Sequence, residues 1–141
     1  MPGEDATLSA LVRACVDAFP DAVAIESLDG TSTTSLTRRE VWERASRIAH
    51  VLRAAGVGHE DLVAISIDAG PEMVLCWLGI LLAGAAFAPF DAQHPPSLLA
   101  PLLRRARLII IRREHRSATT AALAPAAGPS SDPAASDPFS D

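Results

Sequence analysis

The sequence predicts an α/β fold with helices packed on a mostly parallel sheet, and three observations carry that expectation. Apolar positions switch between helical and strand spacing along residues 8–111, the alternation that produces parallel sheets. Several helical stretches have readable borders, with a capping box, a first-turn proline and glycine stops. The run Met73–Asp91, MVLCWLGILLAGAAFAPFD, carries no charge over its first eighteen residues. It is either a helix of bilayer length or a buried helix that turns sharply into a buried strand.

Leu8, Leu11, Val12, Cys15, Val16 and Phe19 recur at helical spacing, so residues 8–18 form an amphipathic helix that Phe19-Pro20-Asp21 ends. Ala22 to Glu26 alternates as a strand. Asp29-Gly30 is a turn signal, and TSTTSL after it suits the returning strand of a hairpin. Thr37-Arg38-Arg39-Glu40 is a capping box, with the Thr hydroxyl facing the Glu40 amide and the Glu carboxylate reaching back to the Thr37 amide. Val41, Ala45, Ile48, Leu52 and Ala55 then share one helix face, and Gly56 supplies a left-handed stop. Arg44, Arg47 and Arg53 point elsewhere, to solvent.

Leu62 to Ile67 is a strand. Gly70-Pro71-Glu72 opens a helix, with proline at its first position and an acid in its first turn. Met73 to Leu82 is apolar all round, as a buried helix is. Gly84 ends it, and Ala85 to Phe90 is a short buried strand. Pro95-Pro96 precedes a helix over about 97–106, and Leu108 to Ile111 is the last strand. From Ser117 the chain is dominated by Ala, Pro, Ser, Thr and Asp, too poor in large apolar groups to offset its ordering entropy. The expected organisation is a disordered N-terminus at 1–7, one domain at 8–116 and a disordered tail at 117–141.

Composition narrows the chemistry. The 141 residues contain no Lys and no Tyr, so all 12 basic residues are Arg, and mechanisms that need a lysine are excluded. A net charge of −5 argues against nucleic acid as a partner. Cys15 and Cys76 are too few for a disulfide framework and suit buried thiols in a reducing compartment. The N-terminus is acidic where a signal peptide is basic, so the expected location is cytoplasmic. A membrane span at Met73–Asp91 is disfavoured: Gly79, Gly84 and Pro89 interrupt it, and Glu72 and Asp91 flank it without a nearby Arg.

His50, His59, His94 and His115 have no ligand spacing with each other or with Cys, so no metal site is expected. Glu60-Asp61 and Glu40/Glu43 suit solvated turns and helix caps better than acid–base pairs. The Arg cluster at 104, 105, 107, 112, 113 and 116 lacks interleaved aromatics and suits a solvated helix end around a strand. Trp42 and Trp77 sit on helices as packing anchors. The pair Gly56-Val57-Gly58 follows a helix, which makes it a stop and not a phosphate cradle.

LLAGAAFAPFD resembles the second core motif of adenylate-forming enzymes, in particular the amino-acid adenylation domains of non-ribosomal peptide synthetases. Ala83, Gly84, Ala86, Pro89 and Asp91 fit that motif in register, while Phe87 replaces the usual Tyr and Leu82 the usual Lys. SLTRREVWERAS resembles the first core motif: Leu36, Thr37 and Glu40 match, and Arg38 stands where the motif has Tyr. FPDAVAI, IAHVLRAAGVGHEDLVAISID and PEMVLCWLGILLAG are similar to the family's opening subdomain, so the likeness covers about residues 8–106. Asp91 favours the peptide-synthetase branch over the fatty-acyl branch. Pro95-Pro96-Ser97-Leu98-Leu99 lacks the Arg that the family carries just downstream.

The resemblance implies the partial N-terminal subdomain of the adenylate-forming fold. Family members join a carboxylate to ATP as an acyl adenylate, release pyrophosphate and pass the acyl group to a thiol. That chemistry uses a Gly/Ser/Thr-rich phosphate loop, acidic residues for ribose and Mg²⁺, and a lysine at the reacting carboxylate. All lie downstream of the second motif. No catalytic, cofactor-binding or metal residue is therefore expected here, and no cofactor for this chain, although the full-length family uses ATP and Mg²⁺. Thr37, Glu40, Gly84, Pro89 and Asp91 are expected as structural motif residues, Asp91 capping a strand end. The leading expectation is an adenylation-domain fragment, truncated by a stop or frameshift and inactive alone. The alternatives are an interaction module docking on the remainder of an adenylation domain or synthetase, and a small membrane-associated protein.

Overall fold

The computed structural model describes residues 7–112, 114 and 116–124. Its elements run α1 (Leu8–Ala18), β1 (Val23–Asp29), β2 (Ser32–Thr37), α2 (Arg38–Ala54), β3 (Leu62–Ser66), α3 (Pro71–Leu82), β4 (Ala86–Pro89), α4 (Pro96–Arg105), β5 (Leu108–Ile111) and α5 (Arg116–Leu123). The alternation is the one expected from the sequence, with two differences at the ends. Thr7, placed in a disordered N-terminus, is the N-cap of α1 and accepts from the Ala10 amide at 3.2 Å. The tail placed from residue 117 opens as α5, because small residues let that helix approach closely: Thr119 and Ala122 are buried, Ala122 beside Ala64, Leu99 and Leu103. The rest of both expected disordered segments, residues 1–6 and 125–141, lies outside the described residues.

The strands form two sheets. β1 and β2 make an antiparallel hairpin around Gly30, and β1 extends to Asp29, beyond the Glu26 expected from alternation. β3, β4 and β5 make a parallel sheet of order β4-β3-β5. The expected mixture of directions is thus split between two sheets. β3 is central, and its side chains alternate between two cores, as a strand period of two requires. Val63 and Ile65 pack with Leu52 and Ile80 beneath α2 and α3. Ala64 faces the opposite way, to Leu99 and Leu103 of α4 and Ala122 of α5. The β3–α3–β4 connection steps to one side of β3 on the first face. The β4–α4–β5 connection crosses to the other side on the second face. Opposite steps on opposite faces give both crossovers the same hand, as parallel units require.

Two Schellman stops fix the chain turns behind this sheet. At the end of α2 the Gly56 amide donates to Arg53 and the Val57 amide to Leu52, both at 3.0 Å. At the end of α3 the Gly84 amide donates to Leu81 at 3.0 Å and the Ala85 amide to Ile80 at 3.1 Å. Both glycines stand at φ +86, in the left-handed region. The run Met73–Asp91 is therefore helix, stop, strand and turn. Among the described residues no helix is long and apolar enough to cross a membrane. Gly79, which interrupts the run in sequence, is the contact point of α2 and α3. A Cβ there would lie 2.6 Å from Ile48 Cγ2 and 3.1 Å from the Ala45 carbonyl oxygen.

Candidate functional site

Ligands of open parallel sheets bind beyond the carboxyl ends of the strands. Here those ends carry Asp68 after β3, Asp91 after β4 and Arg112 after β5. The Arg112 amide donates to the Ser66 carbonyl at 3.2 Å, extending the ladder by one bond. Its guanidinium lies 2.8 Å from Asp68 Oδ2 and 3.1 Å from Glu114 Oε1, with the Arg112 and Asp68 side chains about half exposed. Asp91 builds a turn, its Oδ1 accepting from the Gln93 amide at 2.8 Å and its carbonyl from the His94 amide at 3.1 Å. Its carboxylate thus shapes the entry to α4 instead of capping the end of β4.

The nucleotide phosphates and Mg²⁺ that the family uses do not fit these residues. A helix N-terminus holds an anion through free amide donors and its positive end. At α3, Pro71 removes one donor and Glu72 puts a carboxylate in the first turn, with its Oε2 within 3.5 Å of where a Gly70 Cβ would stand. At α4, Pro95 and Pro96 remove two more donors. Among the described residues no group of three His, Cys, Asp or Glu side chains could hold a metal ion.

The other motif residues hold backbone. The capping box at the start of α2 is formed: the Thr37 amide donates to Glu40 Oε2 at 2.8 Å, and the Glu40 amide donates to Thr37 Oγ1 at 3.3 Å. The Thr37 amide, then its hydroxyl, hold the Glu40 carboxyl below its ordinary range. Arg38, where the first motif has Tyr, donates to the Cys15 carbonyl and lies over the Phe19 ring, tying α2 to the end of α1. Gly84 stops α3, and its carbonyl accepts from the Glu60 amide at 3.1 Å. Pro89 pairs with Ile65 at the end of β4. Phe87, in the second motif's Tyr position, stacks on Trp77 with ring centroids 5.1 Å apart. Among the described residues no hydrogen bond joins the Thr37–Glu40 pair to Gly84, Pro89 or Asp91.

Sequence reasoning missed several contacts. Arg53 does not point to solvent alone, because its guanidinium donates to the Leu82 carbonyl at the end of α3. Asp61 is more than a solvated turn acid, since its Oδ2 accepts from the Gly58 amide at 2.8 Å. The Trp77 Nε1 is buried without a hydrogen-bond partner. The Asp68–Arg112 pair had a signal, each residue lying just past a predicted strand. It became readable only once β3 and β5 were known to be neighbours.

The family model for AMP-binding enzymes matches residues 12–136. The chain is 46% identical over 99 residues to tyrocidine synthase 3 of Brevibacillus parabrevis, a match covering 70% of this chain and 2% of that protein. It is 38% identical over 115 residues to phosphinothricin tripeptide synthetase PhsB of Streptomyces viridochromogenes, covering 81% of this chain and 9% of that one. A putative long-chain-fatty-acid CoA ligase from Rhodopseudomonas palustris superposes with a TM-score of 0.74 at 28% identity, over 85% of this chain and 30% of that chain. The N-terminal subdomain of Klebsiella oxytoca NpsA, solved with 3-hydroxyanthranilyl-AMSN, shares the fold with a TM-score of 0.66 at 24% identity, over 80% of this chain and 32% of that chain. The chain thus spans a small part of each relative. With both core motifs in register on α2 and β4, it belongs to the AMP-binding enzyme family and corresponds to the N-terminal part of an adenylation domain of the non-ribosomal peptide synthetase type.

Proposed function

We propose that these residues are the opening scaffold of an amino-acid adenylation domain and do not catalyse adenylation by themselves. The observation that carries this reading is the chemistry of the strand-to-helix turns. Both fully described turns at the carboxyl edge are poor phosphate cradles, with Pro71 and Glu72 at one and Pro95 and Pro96 at the other. The lysine that the reaction needs is absent from the composition. In this reading Thr37, Glu40, Gly84, Pro89 and Asp91 set the backbone on which a complete domain arranges its site. ATP, Mg²⁺, the amino acid and the acyl acceptor belong to the remainder of such a domain or synthetase, which is the proposed partner. Nucleic acid has no place in it, and a cytoplasmic location follows from the expected partners.

An ATP–pyrophosphate exchange assay tests it. The 141-residue chain with each of the usual amino acids is expected to give no exchange above a blank, and turnover would overturn the claim of inactivity. Co-expressed with the part of a tyrocidine synthase 3 adenylation domain that follows its 99 matched residues, the chain is expected to restore exchange. A soluble pair without exchange would overturn the scaffold reading.

A further inference from the structure

The arginines that the sequence groups together meet at the amino end of the parallel sheet. Arg104 and Arg105 stand in the last turn of α4, and Arg107 immediately precedes β5. The Arg107 guanidinium reaches the stop of α2, its Nη2 lying 2.9 Å from where a Gly56 Cβ would stand. Helix ends collect cations because their last carbonyls are partly negative. Arg53 serves that need at the end of α3, where it donates to the Leu82 carbonyl. Arg104 and Arg105 do not serve it in that way. Among the described residues neither guanidinium bonds a carbonyl or a carboxylate, and both residues are exposed.

Exposed arginines are ordinary in themselves, and what sets this pair apart is its place. Arg104 lines a groove of about 350 Å³ between α4 and α5, with Ala100 and Pro101 on one side and Ala121 and Ala124 on the other. Ala124 is also where the described chain leaves α5, so residues 125–141 set out from this groove. They contain Asp132, Asp137 and Asp141 and no Lys or Arg. Phe139 is the one large apolar residue among them, two positions after Asp137. Asp132 follows Ala124 by eight residues, an extended reach of about 27 Å. Arg104 and Ala124 line the same groove, so the segment has slack to turn back. Exposed ion pairs are weak singly. A short tether, however, supplies an effective concentration of order millimolar, and contacts too weak to hold a separate peptide then suffice.

We infer that the segment Asp132–Phe139 of this chain docks on the α4–α5 groove, with its aspartates on Arg104 and Arg105 and the Phe139 ring against Ala100, Pro101 and Ala121. The inference goes beyond the scaffold reading and does not rest on it. Charge selects the groove. At the carboxyl end of the sheet Arg112 is already paired with Asp68 and Glu114. In the groove at α1 and β1, Arg38 is already engaged by the Cys15 carbonyl and the Phe19 ring. The α4–α5 groove alone joins an unengaged arginine to the point where the acidic segment begins. Docked there, the segment occupies Arg104 and Arg105 and keeps them from other anions.

Nitrogen-15 relaxation on the full 141-residue chain tests this. Order parameters at the Asp132, Asp137 and Phe139 amides are expected above about 0.6, the value below which backbone is flexible. Proton contacts are expected between the Phe139 ring and the Ala100 or Ala121 methyl groups. Arg104→Glu with Arg105→Glu is expected to take the three order parameters below about 0.6 and to remove those contacts. Both positions are exposed, so the melting temperature should stay unchanged. Adding Asp132→Lys and Asp137→Lys to that variant is expected to restore the order, which a damaged fold could not do. Flexible values in the wild-type chain overturn the inference. So does order that survives the two Glu substitutions, or a charge exchange that restores nothing. Order that appears only as protein concentration rises assigns the groove to the segment of a second copy and also overturns it.

Discussion

The β1–β2 hairpin and the β4-β3-β5 sheet are built from similar amounts of strand but reach opposite degrees of closure. Four of the five β3 residues are buried, and Val63 and Ala64 are fully so. In β1 no residue is buried, and Leu28 is 79% exposed. Connection explains the difference. A parallel strand reaches its neighbour only through a crossover, and each crossover lays a helix on the sheet. A two-residue turn closes a hairpin without bringing anything to cover it. One chain therefore holds a finished core at β3 and an unfinished surface around α1 and β1. A groove of about 510 Å³, lined by Leu8, Leu11, Val12 and Val23 among others, remains open there.

Truncating the two regions should separate them most. Ile80, fully buried between α2 and the parallel sheet, changed to Ala is expected to lose about 2–5 kcal/mol in urea unfolding. Leu28→Ala should stay within about 0.5 kcal/mol. Equal losses would mean that the hairpin is as closed as the sheet. Gly79→Ala comes next. Helix propensity alone would gain roughly 1 kcal/mol, but the contact with Ile48 should turn this into a net loss of about 1–3 kcal/mol. A stabilised variant would show that α2 and α3 separate at little cost.

Thr37 stands where the hairpin meets α2, and Thr37→Ala should cost about 1 kcal/mol through the lost cap. The pH dependence has a definite sign. The folded state holds the Glu40 carboxyl below its ordinary value, so the capping box stabilises the fold fully above the unfolded Glu pKa of about 4.3. That contribution is lost as pH falls through the lower folded value. Thermal melts of wild type and Glu40→Gln should converge at acid pH, and a constant gap down to the acid limit would contradict the assignment. Asp68→Asn comes last. The Asp68–Arg112 pair is half exposed, so the loss should be at most about 1 kcal/mol and shrink in high salt.

The legible parts of the fold are those that neighbouring residues determine. The Thr37–Glu40 box, the stops at Gly56 and Gly84 and the element order could be read because each rests on bonds spanning a few residues. The motif positions were legible for the same reason. In sequence Gly79 is only an interruption of an apolar run, because its purpose is close contact with Ile48 on another helix. Helix periodicity turns Arg53 to solvent and cannot show an acceptor 29 residues away. Composition weighs against order at the start of the tail, whereas Ala122 is buried against Ala64, Leu99 and Leu103 of other elements.

By itself the sequence determined the order of the elements from α1 to β5, the cap at Thr37 and the stops at Gly56 and Gly84, which family motifs are present, and that no lysine-dependent step can occur on these residues. Local hydrogen bonding and composition suffice for that. Tertiary structure alone decided that the hairpin leaves the sheet, that β3 is central and that β5 comes last in the order of the described strands. It alone decided that Asp68 meets Arg112. These depend on which distant elements become neighbours, and that is set by how two helical layers cover the two faces of β3.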